Sequence, residues 1–330
     1  VPCINDADSS VRSAALDLLA KLDAAARVKY VELVVARIAD TPTAAQKVLL
    51  KFGPAELEPH AAAIAKHSTH QDLAVRHTVL NGLARLPPEE LEKYASRVID
   101  SLEDDEQQVR SAAQEALGKM HPTALQQHGS ALASRLDHRL AVVRKAVLGA
   151  LAKLSPAALR DHSASLVKRL ADADKDVQSQ AESALRRLRP SVRVSHVADI
   201  LRLLGHSDPR VRSVALQAIN LLSGATGRAA LSAHVDQMAS FLDVDDLDVQ
   251  VTALKALQVL GSAALERLVP RLRALLEGGE SSVRTEVLNV MACLRPSTLQ
   301  HEARLVMRSL HDDAEQVRAA AIGALRAFGM

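Results

Sequence analysis

The sequence contains no tryptophan, only two tyrosines and three phenylalanines, so aromatic residues make up 2% of its 330 positions. Apolar residues still reach 48%, and a core without aromatics must be aliphatic, mostly Ala, Leu and Val. Ala and Leu are the strongest apolar helix formers, so the shortage itself favours closely packed helices. It also leaves few rings on which nucleobases could stack. Two cysteines, Cys3 and Cys293, make no disulfide framework in a chain of this length. A formal charge of +2 is too small a field to gather nucleic acid. No run approaches the roughly 18 consecutive apolar residues of a membrane helix, and no signal or transit peptide is visible. The expectation is a soluble intracellular protein, in the cytoplasm or an organelle interior.

The length allows two ordinary domains or one elongated array, and self-similarity decides for the array. Val followed by Arg or Gln recurs at Val75, Val109, Val143, Val177, Val211, Val249, Val283 and Val317, at intervals of 34, 34, 34, 34, 38, 34 and 34. Val11 lies 64 residues before Val75, leaving room for one degenerate unit near 35–52, where Thr41-Pro42 replaces the Val-Arg pair. The interval of 38 places four extra residues near SGATG, 223–227. The opening VPCINDADSSVR reads as the middle of a unit, so residues 1–330 are expected to be a single array cut from a longer one.

Each unit reads as two helices. Proline opens the first at Pro54, Pro88, Pro122, Pro156, Pro190 and Pro296, where its missing N–H is harmless, and Ser155 is a candidate N-cap. Leucine follows three residues later, at Leu57, Leu91, Leu125 and Leu159, and a leucine column resumes at Leu231, Leu265 and Leu299. The second helix follows a short turn with an acid three residues before the Val: Asp8, Asp72, Glu106, Asp174, Asp208, Asp246 and Glu280. An acid there caps open N–H groups and complements the helix dipole. Second helices are expected to begin near residues 9, 73, 107, 141, 175, 209, 247, 281 and 315. Neither amphipathic stripe could be buried alone, but stacked neighbours bury both.

A 34-residue period is that of tetratricopeptide repeats, but those rely on Trp and Tyr knobs that this chain lacks. The proline, acidic turn and Val-Arg of LGHSDPRVRSVALQAINLL, SLEDDEQQVRSAAQEALGKM and SLHDDAEQVRAAAIGAL resemble short HEAT-like repeats instead. The resemblance covers nearly the whole chain. It implies an all-α, right-handed α-solenoid of about nine to ten stacked two-helix repeats. It also implies a ladder between neighbouring units that joins turn acids to second-helix arginines. The matching residues are Asp8, Arg12, Asp72, Arg76, Glu106, Arg110, Asp208, Arg212, Glu280 and Arg284, with Arg144 and Arg318 on the arginine side. Gln178 and Gln250 break the charge there.

Histidines raise the question of chemistry. In AALRDHSASLVKRL, His162 sits on the core-facing stripe, and the period carries it to His60, Tyr94, His128, His196 and His234, then Leu268 and Glu302. A catalytic group is not copied into every repeat. Helices about 8–10 Å apart also sit poorly for two imidazoles that must each come within about 2.1 Å of one zinc. The column reads as amphipathic filler whose ring packs while one nitrogen finds a partner. Five residues before each Val, Asp6, His70, Asp104, His138, Asp172 and His206 alternate. This is either an inter-repeat His–Asp ladder or two residues equally suited to a solvated turn. His60, His67, His70 and His77 form the one local cluster, with no Cys or firmly placed acid to complete a metal site.

No G-x-S-x-G, P-loop or glycine-rich phosphate cradle occurs, and the single His-Glu dipeptide, His301-Glu302, does not match the several needed by a HEAT-like di-iron hydroxylase. HEAT-like DNA glycosylases use aromatic side chains around the lesion, and this chain has no tryptophan. Ten residues after the Val, a basic column of Lys21, Lys51, Arg85, Lys119, Lys153 and Arg187 gives way to Leu221, Val259, Cys293 and Ala327. At 100° per residue this position lies at the edge of the buried stripe. The cations read as snorkelling side chains, and the apolar half as extra core or a strip that docks a partner. The sequence therefore points to a non-enzymatic scaffold or adaptor, a subunit of a larger assembly, without cofactors. Its expected partners are other protein subunits, not nucleic acid, small molecules or a membrane. Two alternatives stay open: a HEAT-like lyase or other enzyme accessory subunit, and a weak nucleic-acid binder using the basic column.

Overall fold

The computed structural model describes residues 2–327, and every regular element among them is helical. Second helices begin at all nine expected positions: Ser9–Leu19, Leu73–Leu83, Gln107–Lys119, Ala141–Leu151, Lys175–Arg187, Pro209–Asn220, Leu247–Leu257, Ser281–Met291 and Glu315–Ala327. The degenerate unit supplies a tenth, Pro42–Leu49. It starts after the repeat's Val position rather than two residues before it, because Pro42 suits only the first turn of a helix. Thr41 takes the Val position and is buried.

The first helix of each unit is not one helix, contrary to the simple two-helix reading. Pro54–Leu57 passes through a 3-10 turn, Glu58–His60, before Ala61–Ala65 resumes the α-helix. Pro88–Leu91 and Ala95–Asp100, and Pro156–Leu159 and Ser163–Lys168, repeat the break. The break residue is the histidine-column residue, with φ −106° and ψ 4° at His60, −112° and 7° at His162, and −109° and 19° at His234. This is the sparsely populated bridge between helix and strand conformations.

The four-residue insertion is absorbed as helix. Ala225–Ala233 has nine residues, against five in the preceding Pro190–Val194. Four residues are close to one turn, so the faces on either side keep their orientation. The extra turn approaches closely: a Cβ on Gly227 would lie 2.1 Å from the Leu222 carbonyl oxygen.

The chain divides between Ala158 and Leu159 into two compact units. In the first, the second helices from Ser9–Leu19 to Ala141–Leu151 pack on one another in chain order. In the second, Lys175–Arg187 to Glu315–Ala327 do the same. From Val75 to Val317 the repeated valines are all buried, and so are the leucines of the first helices, from Leu57 to Leu299. No described helix is long and apolar enough to cross a membrane.

Candidate interaction surface

The turn before each second helix is built from three repeated positions. Five residues before the Val, Asp104 Oδ1 accepts from the backbone N–H of Glu106 at 3.0 Å, and Asp6 and Asp172 accept in the same way from Asp8 and Asp174. His70 Nδ1 accepts from the Asp72 N–H at 3.1 Å, and His138 and His206 match it. Asp and His thus alternate because each places one acceptor at the same distance from the backbone. The His–Asp ladder weighed from the sequence is not what these side chains form.

Three residues before the Val, the expected cap depends on side-chain length. Asp8, Asp72, Asp174, Asp208 and Asp246 each accept from an N–H of the first turn. Glu106 and Glu280 make no side-chain cap, since one more methylene carries the carboxylate past the orphan donors.

One residue after the Val, arginine staples its own turn. Arg76 donates through one terminal nitrogen to the carbonyls of His70 and Gln71, and Arg110, Arg144, Arg212 and Arg318 repeat the pattern. Arg12 donates likewise to Asp6 and Ala7. Gln178 still donates to the Asp172 carbonyl, and Gln250 to those of Val244 at 2.8 Å and Leu242 at 3.2 Å. The inter-repeat ladder exists, with a corrected partner. Arg76 forks onto Asp104 at 2.7 and 2.9 Å, and Arg284 onto Asp312 at 2.8 Å twice. The acceptors are thus the turn-closing acids five residues before the next Val, whereas Asp8, Asp72, Glu106, Asp208 and Glu280 are not rungs between repeats. Arg212 reaches Asp248 instead, at 3.2 Å. Burial alone would raise the Asp104 carboxyl, but the Arg76 hydrogen bond and the Glu106 amide outweigh it and hold it below its ordinary value. Asp312 is lowered first of all by Arg284.

The basic column stands in or beside the turn after the second helix, so projecting it at helical spacing is only approximate. Its side chains have a definite task. Arg85 donates twice to the Phe52 carbonyl, at 3.1 and 2.9 Å, Lys119 to Ala84 at 2.9 Å, and Lys153 to Gly118. Each cation therefore caps the C-terminus of the preceding second helix, where carbonyls lack partners and the dipole favours positive charge. Lys21, Lys51 and Arg187 are exposed. Of the apolar successors, Leu221 and Val259 are half-buried, whereas Cys293 and Ala327 are exposed. Partial burial of the Cys293 thiol raises its pKa, the direction that disfavours the thiolate.

Sequence reasoning overlooked two residues here. Arg27 and Arg193 occupy the place where other units carry the first-helix leucine. Arg193 donates to the carbonyls of Leu188 at 2.7 Å and Leu221 at 3.2 Å, joining two successive helix ends, and burial lowers its pKa. Arg27 does the same for Leu22 and Lys51, and lies 5.9 Å from the centre of the Phe52 ring. The break in the leucine column at 27 and 193 was the available signal. Arg193, Val194, Leu221 and the glycines Gly224 and Gly227 line a cleft of about 250 Å³.

The histidine column packs half-buried at the first-helix breaks. His196 Nε2 hydrogen-bonds Ser163 Oγ one repeat back at 2.8 Å. Glu302 in the same column is buried and receives Arg273, also one repeat back, at 3.2 and 2.5 Å. His67 and His70 meet edge-to-face with ring centroids 6.4 Å apart. Burial lowers the His67 pKa. No group of three or more His, Cys, Asp or Glu among the described residues is arranged to hold a metal ion.

No protein-family model and no curated protein matches the sequence. Among solved structures, importin beta is similar over 98% of this chain with a TM-score of 0.66 and 14% identity. This chain corresponds to 52% of importin beta's length. An engineered protein matches over 100% of this chain and 98% of its own, at 20% identity and a TM-score of 0.48. Kap121p, crystallised bound to Pho4p, matches over 98% of this chain and 41% of its own, at 15% identity and 0.45. The importin beta likeness shows the fold: an all-helical solenoid of the kind the HEAT-like motifs imply.

Proposed function

We propose that this chain is a non-enzymatic scaffold or adaptor for other protein subunits, a structural part of a larger assembly, and that its residues form a single repeat array. One observation carries the reading. The polar residues that recur with the period are engaged in building the fold: turn acceptors, N-caps, staples, rungs and C-terminal caps. Three of the six basic-column cations cap helices in this way, which weakens any nucleic-acid reading. Specificity for a partner then rests with side chains that do not repeat, displayed on the long surface a helical array offers.

The apolar end of the column is the proposed contact. Half-buried Leu221, which lines the cleft, and half-buried Val259 share the column with exposed Cys293 and Ala327. Partially covered apolar side chains retain surface that a partner can remove from water, at roughly 25 cal/mol per Å². The test is a Leu221→Lys, Val259→Lys double variant beside the parent in co-purification of subunits from the native source. Loss of a specific subunit with an unchanged melting temperature supports the strip as a docking site. A lowered melting temperature in the isolated chain returns both residues to the core and removes the proposed contact.

A further inference from the structure

Arg193 is a cation without a counter-charge. Its terminal nitrogens donate to the carbonyls of Arg186, Leu188 and Leu221, all neutral acceptors. Its Nε is buried with no hydrogen-bond partner, and burial lowers its pKa with no acid opposing the shift. Arg76, Arg273 and Arg284 differ, because an aspartate or glutamate holds each guanidinium and raises its pKa. The matching Arg27 lies over the Phe52 ring, but Leu222 takes that ring's place in the repeat around Arg193. A half-buried charge left without a partner costs free energy that an incoming anion recovers.

The cleft at Arg193 stands where the repeat is irregular. It lies between Pro190–Val194 and Ala225–Ala233, the helix lengthened by the four-residue insertion. Val194 and Leu221 give it an apolar wall, and about 250 Å³ is room for one aliphatic side chain. No acid occurs in residues 183–198 or 209–235, the two stretches that supply every lining residue. The nearest acids along the chain before and after Arg193, Glu182 and Asp199, are engaged by Arg186 and Arg202. Arg189, the residue before Pro190, and Arg228, within the inserted helix, are both exposed. Neither side chain has a hydrogen bond or ion pair among the described residues.

We propose that this cleft receives an acidic segment of a partner protein. An aliphatic side chain enters beside Val194 and Leu221, and an adjacent Asp or Glu supplies the carboxylate that Arg189, Arg193 and Arg228 lack. The proposal rests on Leu221 as a contact residue and adds the chemistry of the partner. A nucleic acid would match the charge but not the wall, which has no aromatic ring on which a base could stack.

Selection of random dodecapeptides displayed on phage against the 330-residue chain tests this, followed by fluorescence anisotropy of the enriched peptides. These peptides should place Asp or Glu beside Leu, Ile, Val or Met, and their affinity should fall as salt rises. Arg189→Glu with Arg228→Glu spares the hydrogen bonds of the fold and should weaken binding by about tenfold, with an unchanged melting temperature. Gly224→Leu adds a side chain to the cleft where a Cβ meets no atom within 4 Å, and it should weaken binding as well. No enrichment, enriched peptides without acids, or affinity unmoved by the charge reversal overturns the proposal. Displacement of the peptide by an oligonucleotide of equal charge at equal concentration also overturns it, since the cleft would then be a phosphate site. Loss of a native subunit with Leu221→Lys, Val259→Lys but not with the arginine pair leaves the apolar strip standing and removes its acidic partner.

Discussion

At the scale of the residue, geometry separates side chains that the sequence groups together. Asp104 and His70 look unlike in charge yet perform one task, because Asp Oδ1 and His Nδ1 stand equally far from the backbone. Asp72 and Glu106 look alike yet differ, because only the shorter side chain reaches the first-turn N–H groups. Glu106→Asp is therefore expected to stabilise the chain by about 0.5–1 kcal/mol, through a cap that the parent lacks. Urea unfolding of the variant and parent measures it, and an unchanged or lower midpoint would refute the length argument. The acid column was legible in the sequence. Which acid caps and which forms a rung was not, since that turns on one methylene and on a neighbour 28 residues away.

At the scale of the element, the helix starts could be read to the residue because Pro, Asp and the Val-Arg pair mark each one locally. The break in the first helix could not. A 3-10 turn uses the same residues as an α-helix and differs by one hydrogen-bond register. The histidine column was its only trace, and His162 is there because the bridge conformation sits at a half-buried edge, where an imidazole can pack and still find a partner. The inserted turn at 225–233 makes a sharper demand. Gly227→Ala drives a methyl into the Leu222 carbonyl and should cost about 2 kcal/mol or more, as overpacking against immobile backbone does. Gly224→Ala, with no atom within 4 Å of the added carbon, is the control. Equal melting temperatures for the two variants would refute the close approach as a constraint.

At the scale of the whole molecule, rungs of the same kind stand in both compact units, Arg76–Asp104 in one and Arg284–Asp312 in the other. Both aspartates are lowered from 3.8. A carboxyl depressed in the folded state contributes stability that is fully present above its unfolded pKa and lost as pH falls through the folded value. Asp104→Asn with Asp312→Asn keeps the turn acceptors and removes the charges. The variant should therefore melt below the parent near neutral pH, and the gap should close as pH falls below about 4. Melting temperatures across that range check the sign. A gap that is constant with pH would mean the aspartates act only as neutral acceptors.

The sequence by itself determined the class of fold, the helix starts, the repeated valine and leucine core and the position of the insertion. Those properties depend on periodicity and on caps a few residues away, and a 34-residue repeat states them many times over. It did not determine that Arg76 reaches past the cap acid to Asp104, that Lys119 caps a helix in the previous repeat, or that Arg27 and Arg193 replace leucine to hold two helix ends. Tertiary structure decided these, because each depends on which face of one repeat meets the next, and a period in one dimension carries no record of what stands across a gap in three.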